Sequence, residues 1–485
     1  MTSLESFSLG KIPRALFSAM KSCGGKTLIS SSIMSLLARD SSVAPFKCGC
    51  DFIDPLYHKA FLNPSLKIGQ CLSSNLDLFI YDQETLSYLF LENSKNKDLA
   101  IIEGVMGLYD GVGGKTDEKS TNQIAMLTKT PTILILSPED FDGYNKAVFL
   151  PRLREFLSFR ENLVRGVILN NCDKVTYASL KPILENETNL KPLGYVPFSK
   201  CLALENRRLG LFPLWQEENL RERVEEITNE ATKFIDIDAL RAIMNSAENF
   251  PSELVEKAFL VKNKINLLKQ ESELKIGVTA DEAFCFHNKD NLLALSLLGA
   301  RLELVSPFRD EVLPKDLDGI YLTGGFLSSH IRELSQNKSF LSSLSNALEN
   351  GLPSFSEGAG YVYLSSAFSL NLGEKFSLAN FFDDEFIESQ KLQSFGYYSL
   401  SCPDISIFEN ISSLRLRNFN YFKSINEKAS PILRLRKTGR EDFLTGRQRK
   451  SSFGAVCYFN FFSNLRLPAN FLRLCAKNKI EKGKT

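Results

Sequence analysis

Short apolar runs alternate with amphipathic stretches of crossover length along the first part of the chain. Residues 15–17, 44–46, 99–102, 132–136, 166–169 and 192–196 read as strands. The spacing between them suits crossover helices, which predicts a mostly parallel sheet covered on both faces. From Trp215 to about residue 274 the pattern turns charged, helical and poor in glycine, with Pro251 separating two helices. A second alternation starts at Leu274. KIGVTAD, LELVSPF, GIYLTGG and LPSFSEG read as strands, and NLLALSLLGA and FLSSLSNALENG as helices stopped by glycine. The stretch 437–452 (KTGREDFLTGRQRKSS) reads as an exposed basic loop, and the Lys-rich end after Leu474 as a frayed tail. The expected division is therefore α/β with two domains, 10–245 and 274–465, joined by a helical linker over 246–273 and followed by a basic tail over 466–485.

Composition narrows the class without naming a function. Of 485 residues, 44% are apolar and 24% charged, which are globular values. A net charge of +1 gives no overall field for nucleic acid. No apolar run reaches the roughly 18 residues of a membrane span, and no basic-then-apolar leader opens the sequence, so neither a membrane nor a secretory route is expected. Ten scattered cysteines without a paired Cys-x-x-Cys set read as reduced thiols of a cytoplasmic protein. Histidine is scarce: His58, His287 and His330 are the three.

Candidate chemistry gathers first in IPRALFSAMKSCGGKT, residues 12–27. An apolar run, a glycine-bearing turn, Gly24-Gly25-Lys26-Thr27 and a helical stretch form the layout of a phosphate-binding loop. Backbone N–H groups face phosphate oxygens, Lys26 reaches the β- and γ-phosphates, and the Thr27 hydroxyl suits Mg²⁺. Met20 stands where the common loop has glycine. Lys21 gives instead the K-x-x-x-G-K-T layout, which resembles the deviant loops of the MinD and dethiobiotin-synthetase superfamily, and Lys21, Ser22, Gly24, Gly25, Lys26 and Thr27 become candidate nucleotide contacts. Two more stretches add acids at strand ends. PFKCGCDFIDPLYH (45–58) brings Lys47, Asp51 and Asp54, and LAIIEGVMGLYDG (99–111) brings Glu103 and Asp110. Ligands of open parallel sheets gather at the strands' carboxyl ends, where a carboxylate beside a phosphate loop can hold Mg²⁺ directly or through water.

Taken together, these stretches resemble cobyrinic acid a,c-diamide synthases over nearly the whole length. Asn75-Leu76-Asp77, Ser120-Thr121, GVILNN, LALENRRLGL, DIDAL, VTADEAFCFHNKDNLLALSLLGARL, SPFRDEVLPKDLDGIYLTGG and PSFSEGAGYVYL carry the rest of the likeness. The resemblance implies a dethiobiotin-synthetase-like P-loop domain followed by a class I glutamine-amidotransferase-like domain. It implies ATP- and Mg²⁺-dependent amidation of the c and a acetates of a tetrapyrrole through an acyl phosphate. Lys26, Thr27 and Lys47 would carry phosphate and migrating charge; Thr27, Asp51 or Asp54, and Glu103 would surround the metal. Asp54 and Asp110 would lie near the substrate carboxylate or the incoming ammonium, and Asn170 near adenine. A small-molecule partner is implied, and a homodimer is compatible with the chain.

The second domain departs from that pattern. An acidic residue followed by Cys and two glycines is expected, and the chain reads Glu357, Gly358, Ala359, Gly360. The base histidine is expected near the C-terminus, where the chain reads Tyr458, Phe459, Asn460, Phe461, Phe462. Glycine offers no thiolate. The expectation is a domain without glutaminase chemistry, at Gly358 and Asn460, and amidation fed by free ammonia or a partner glutaminase. Two alternatives stand beside it: a degenerate nucleotide- or corrinoid-binding scaffold, and an amidase of another tetrapyrrole carboxylate.

Overall fold

Six consecutive buried residues, Arg14–Ala19, form β1, the strand on which the first unit is built. The computed structural model describes residues 11–65, 72–114, 116–202, 206–207, 210–211, 219–370, 373–425 and 430–483. Half of LALENRRLGL, and Trp215, lie outside the described residues. After β1 come α1 (Lys26–Leu37), β2 (Val43–Cys48), α2 (Asp54–Leu62), β3 (Ser74–Leu76), α3 (Gln83–Ser94), β4 (Leu99–Glu103), α4 (Thr121–Leu127), β5 (Thr132–Leu136), α5 (Lys146–Ser158), β6 (Val164–Leu169), α6 (Lys174–Glu187) and β7 (Lys191–Tyr195). The strands pair in the order β3-β2-β4-β1-β5-β6-β7, all parallel. β1 lies between β4 and β5, and the chain leaves it toward β2 on one side and reaches β5 on the other. The carboxyl end of β1 is thus the switch point at which such sheets bind ligands. Phe17, Ile29, Ile33, Met34, Ile101 and Ile133 share one buried cluster, which fixes α1 across β1, β4 and β5.

Arg14 is fully buried at the foot of β1. Its guanidinium donates to Thr128 O (2.8 Å), Lys129 O (3.1 Å), Ile12 O (3.0 Å) and Glu248 O (2.6 Å). Burial lowers its pKa to about 10, against a smaller opposing pull from Glu248. Arg14→Met would strand these carbonyls in a dry setting. The first unit's urea-unfolding transition is expected to lose about 3 kcal/mol or more; a loss under about 1 kcal/mol would mean that the clamp holds little.

A short hairpin, β8 (Asn206–Arg207) and β9 (Gly210–Leu211), precedes α7 (Leu220–Thr232), α8 (Ile237–Asn245) and α9 (Ser252–Leu268). One compact unit reaches Val261 and the other starts at Lys262. The second unit holds β10 (Leu274–Thr279), α10 (Lys289–Leu297), β11 (Ala300–Val305), β12 (Gly319–Leu322), α11 (Ile331–Gln336), α12 (Lys338–Glu349), β13 (Ser354–Glu357) and α13 (Ala359–Tyr363). There follow β14 (Ala367–Leu370), β15 (Glu374–Ser377), β16 (Glu385–Glu388), β17 (Ser394–Ser401), β18 (Ser413–Asn420), β19 (Phe422–Ser424), β20 (Leu433–Arg436), β21 (Phe443–Thr445), β22 (Arg447–Arg449), β23 (Ser452–Ala455) and α14 (Arg466–Lys482). Its main sheet runs β11-β10-β12-β13-β23-β22, parallel except for the β22 edge. Two four-stranded sheets built from β14–β21 accompany it.

Two expectations are corrected. The 437–452 stretch is not a loop throughout: Phe443 pairs with Leu435 and Gln448 with Phe453, so it supplies the edge strands β21 and β22, and Arg447 turns inward to buried Asp384 at 2.7 Å. The C-terminal segment is not a frayed tail. Leu467, Phe471, Leu472 and Cys475 are buried along one face of α14. Cys475 Sγ occupies the space that a side chain at Gly319 would need, 2.3 Å from the ideal Cβ position.

Candidate active site

The phosphate loop runs from Met20 to Gly25 between β1 and α1. Gly25 caps α1 at φ 86°, a left-handed conformation that glycine adopts without strain. A Cβ there would also come 2.4 Å from Asn170 Nδ2. Asn170, at the end of β6, donates from Nδ2 to Gly24 O at 3.2 Å and so braces the loop. Ser22 is exposed; Lys21 is exposed as well and spans to Asp140 Oδ1 at 3.3 Å and Glu139 O at 3.1 Å. Lys26 is only 7% exposed and donates to Lys21 O at 3.1 Å. Burial, then the neighbouring Lys47, lowers the pKa of Lys26, while Glu103 and Asp54 pull it back up.

The acids converge from two strand ends. Glu103, at the tip of β4, is fully buried. Its Oε1 accepts from the Thr27 hydroxyl at 2.6 Å and from Lys47 Nζ at 2.9 Å. Lys47 also meets Asp54 Oδ2 at 2.6 Å and Gly104 O at 2.9 Å. Thr27 Oγ1 lies 3.3 Å from Asp54 Oδ1. Burial pushes Glu103 up, but Lys47, His58 and Thr27 outweigh it and hold the carboxyl well below the usual range. Burial likewise works against the Lys47 ammonium, yet Asp54, Glu103 and Asp51 outweigh it and raise its pKa. Asp54 is raised: burial leads, Lys47 opposes it, and the carboxylates of Glu103 and Asp51 add to it.

The structure thus brings Lys26, Thr27, Lys47, Asp54 and Glu103 together. Asp51 stands one step back. Its Oδ1 accepts from the backbone N–H of Ile53 (2.8 Å) and Asp54 (3.3 Å), while its charge still acts on Lys47. Asp110 lies apart from the lysine–acid cluster in its hydrogen bonding: it is exposed, with Oδ2 accepting from Gly107 N–H at 2.7 Å. Asn75 and Asp77 tie down the loop before α2, Asn75 donating to Gly49 O (2.8 Å) and Asp77 accepting from Cys50 N–H (2.8 Å). Thr121 fastens the loop after β4 through Val105.

Sequence reasoning missed His58. Its Nε2 lies 2.6 Å from Glu103 Oε2 and its Nδ1 2.6 Å from Ser73 Oγ, and Ser30 Oγ adds a contact to the same Glu103 oxygen at 3.2 Å. The signal was available: His58 is four residues after Asp54, the helical interval that puts both on one face of α2.

In the second unit, the strand-to-helix turn is Gly358, at φ 55° and ψ −123°. An ideal Cβ on Gly358 would lie 2.5 Å from the Tyr458 hydroxyl oxygen, and one on Gly324 2.6 Å from the same atom. Tyr458 therefore fills the space between the two glycines. Glu357 is buried, accepts from Tyr321 OH (2.6 Å) and Phe459 N–H (3.0 Å), and is pushed up to about 7 by burial against those two bonds. Asn460 is buried between Phe459 and Phe461, whose backbone O and N–H bond Asn291. His287 pairs through Nε2 with Thr279 O at 2.7 Å, and His330 packs edge-on to Phe308. Both histidines are thus engaged in packing around this sheet.

Residues 275–410 match the CobB/CobQ-like glutamine amidotransferase domain. The cobyrinate a,c-diamide synthase of Caldanaerobacter subterraneus subsp. tengcongensis is 32% identical over 93% of this chain and 96% of its own. The chain belongs to the cobyrinate a,c-diamide synthase family. Cobyrinate a,c-diamide synthases of Listeria innocua and Clostridium tetani are 30% and 31% identical, over 96% and 93% of this chain and 99% and 97% of theirs. A solved glutamine amidotransferase aligns with TM-score 0.32 and 18% identity over 41% of this chain and 98% of its own, a likeness too slight to carry weight. The family's P-loop half is filled here by a joined set of side chains. Its amidotransferase half turns from strand to helix at Gly358, where the resemblance leads one to expect cysteine.

No helix among the described residues is long and apolar enough to cross a membrane. Among those residues no group of three or more His, Cys, Asp or Glu side chains forms a metal cage. Thr27, Asp54 and Glu103 present one hydroxyl and two carboxylates, hard oxygen donors that fit Mg²⁺ as a partial shell, which it habitually completes with phosphate oxygens and water.

Proposed function

We propose that this chain amidates the c and a acetate carboxylates of cobyrinic acid with ATP, through an acyl phosphate, using ammonia that its own second domain does not generate. The observation that supports the reading most is the joined set of Thr27, Lys47, Asp54 and Glu103 beside a glycine loop, with Lys26 within its electrostatic reach. A substrate carboxylate oxygen would attack the γ-phosphorus as the bond to ADP breaks. Ammonia would then attack the acyl carbon, and inorganic phosphate would leave with the electron pair of the C–O bond. Lys26 and Lys47 stand where charge moves between two anions, and positioning with charge neutralisation is most of what phosphoryl transfer requires. Mg²⁺ held by Thr27 and Glu103, with Asp54 or Asp51, would supply further neutralisation of the phosphates. Asn170, Ser22 and Lys21 would complete the nucleotide site, and Asp110 would help receive ammonium. Division into residues 10–245 and 274–465, bridged by 246–273, is the domain scheme that goes with this reading, with α14 (Arg466–Lys482) belonging to the second domain.

An assay with ATP, Mg²⁺ and cobyrinic acid tests it. Turnover is expected with ammonium chloride and not with glutamine. Robust turnover with glutamine alone would refute the reading of Gly358. ATP binding without turnover on any tetrapyrrole acid would mean a binding scaffold, and turnover on another tetrapyrrole acid alone would move the substrate.

A further inference from the structure

A cleft of about 500 Å³ opens in the first unit beside the phosphate loop. Met20, Tyr109, Asp110, Arg152, Phe156 and Phe159 are among its walls. The cleft and the phosphate loop share a wall. Met20 opens the loop, and its carbonyl closes so tightly on Gly107 that a Cβ there would come within 2.4 Å. Three features lie unused by the site described above. First, Tyr109 packs on Phe156 (4.8 Å between centroids) and Phe159 (5.5 Å), giving an aromatic wall. Second, Phe159 is 53% exposed, with the Arg160 guanidinium over part of its ring at 4.4 Å from the centroid. Third, Arg152 spends one N–H, on Asp140 O at 3.1 Å, and the rest of its fork has no bonded partner among the described residues.

The geometry points to this cleft as the seat of one edge of the substrate macrocycle, with Phe159 and Phe156 against its ring face and Arg152 on one of its acid arms. The inference rests on the proposed function, which requires a bulky polycarboxylate to reach the phosphate loop. An aromatic wall suits a flat conjugated ring system, and a guanidinium fork suits a carboxylate. The volume lies in the usual range for ligand pockets and leaves the remaining acid arms in solvent. Asp110 and Glu155 also line the cleft. They repel any second carboxylate that enters, so only an orientation placing one acid arm on Arg152 is favoured. That repulsion gives the cleft selectivity for one edge of the ring.

Equilibrium dialysis of the full chain against cobyrinic acid, read by its visible absorbance, tests the placement. Phe159→Ala removes an exposed ring and leaves the core intact; it is expected to weaken cobyrinic acid binding about fivefold. Arg152→Gln is expected to weaken it about tenfold or more. In both variants KM for the corrinoid should rise while kcat and the Kd for ATP stay within about twofold of the parent. If the parent binds cobyrinic acid and both variants bind it as tightly, the cleft is not its seat, and the proposed function stands. If the parent binds ATP but no cobyrinic acid, the proposed function falls and this inference with it.

Discussion

Lys26→Ala is expected to lower ammonia-dependent amidation by about a thousandfold or more and to weaken ATP binding at least about tenfold, with the fold retained. The reasoning starts from what each lysine already holds. Lys47 is locked between Asp54 and Glu103 and donates to Gly104 O, so its charge is neutralised within the protein. Among the described residues Lys26 meets no carboxylate within ion-pair distance; it donates to a backbone carbonyl, that of Lys21. A nearly buried ammonium whose pKa is lowered by burial and by Lys47 is a cation held at a cost, and a triphosphate would relieve that cost. Removing it deletes one hydrogen bond within the loop but, on the proposed reading, also a positive charge beside the phosphates. The check is an ATP titration by calorimetry together with amidation rates at saturating ammonium. Unchanged affinity and rate in Lys26→Ala would show that the loop does not bind nucleotide, whatever its sequence.

The parts of this site that could be read from sequence are those set by local spacing. An apolar run followed by Gly24-Gly25-Lys26-Thr27 requires a strand, a left-handed turn and a helix start, and β1, Gly25 at φ 86° and α1 follow in that order. The burial of Glu103 at the end of β4 follows from a continuous apolar strand before it. What could not be read was set by long-range pairing. Asn170 bracing Gly24, 146 residues away, depends on β6 lying two strands from β1. The two small sheets of the second unit, one mixed and one antiparallel, were missed because polar residues interrupt the apolar positions of their strands. In β18 the buried residues alternate with exposed or half-exposed ones, including Arg415 and Arg417, so each strand's apolar signal is only three or four residues long. α14 was misread because its lysines dominate the composition, whereas Leu467, Phe471, Leu472 and Cys475 recur at helical spacing.

Gly358→Cys, which restores the atom that glutaminase chemistry needs, is expected to yield no glutamine hydrolysis and to destabilise the second unit by about 2–5 kcal/mol. Two costs add. At φ 55° a side chain is strained, and its Cβ would lie 2.5 Å from the Tyr458 hydroxyl oxygen and 2.7 Å from Cζ. Tyr458 is 3% exposed, and Gly324 closes on it from the other side, so the ring has no open direction in which to swing. In a Tyr458→Ala background the steric part disappears and the backbone strain remains. The cost of Gly358→Cys should then fall by at least about 1 kcal/mol, a coupling that a double-mutant cycle on the unfolding midpoint reads directly. Glutamine hydrolysis should stay absent in the double variant too, because Asn460 cannot take a proton from a thiol as histidine does. A glycine at 358 and a tyrosine ring filling the space beside it would thus both oppose glutaminase chemistry, the one by lacking a thiol and the other by packing. A Gly358→Cys protein that unfolds at the parent's midpoint, or that releases ammonia from glutamine, would show that Tyr458 is no plug.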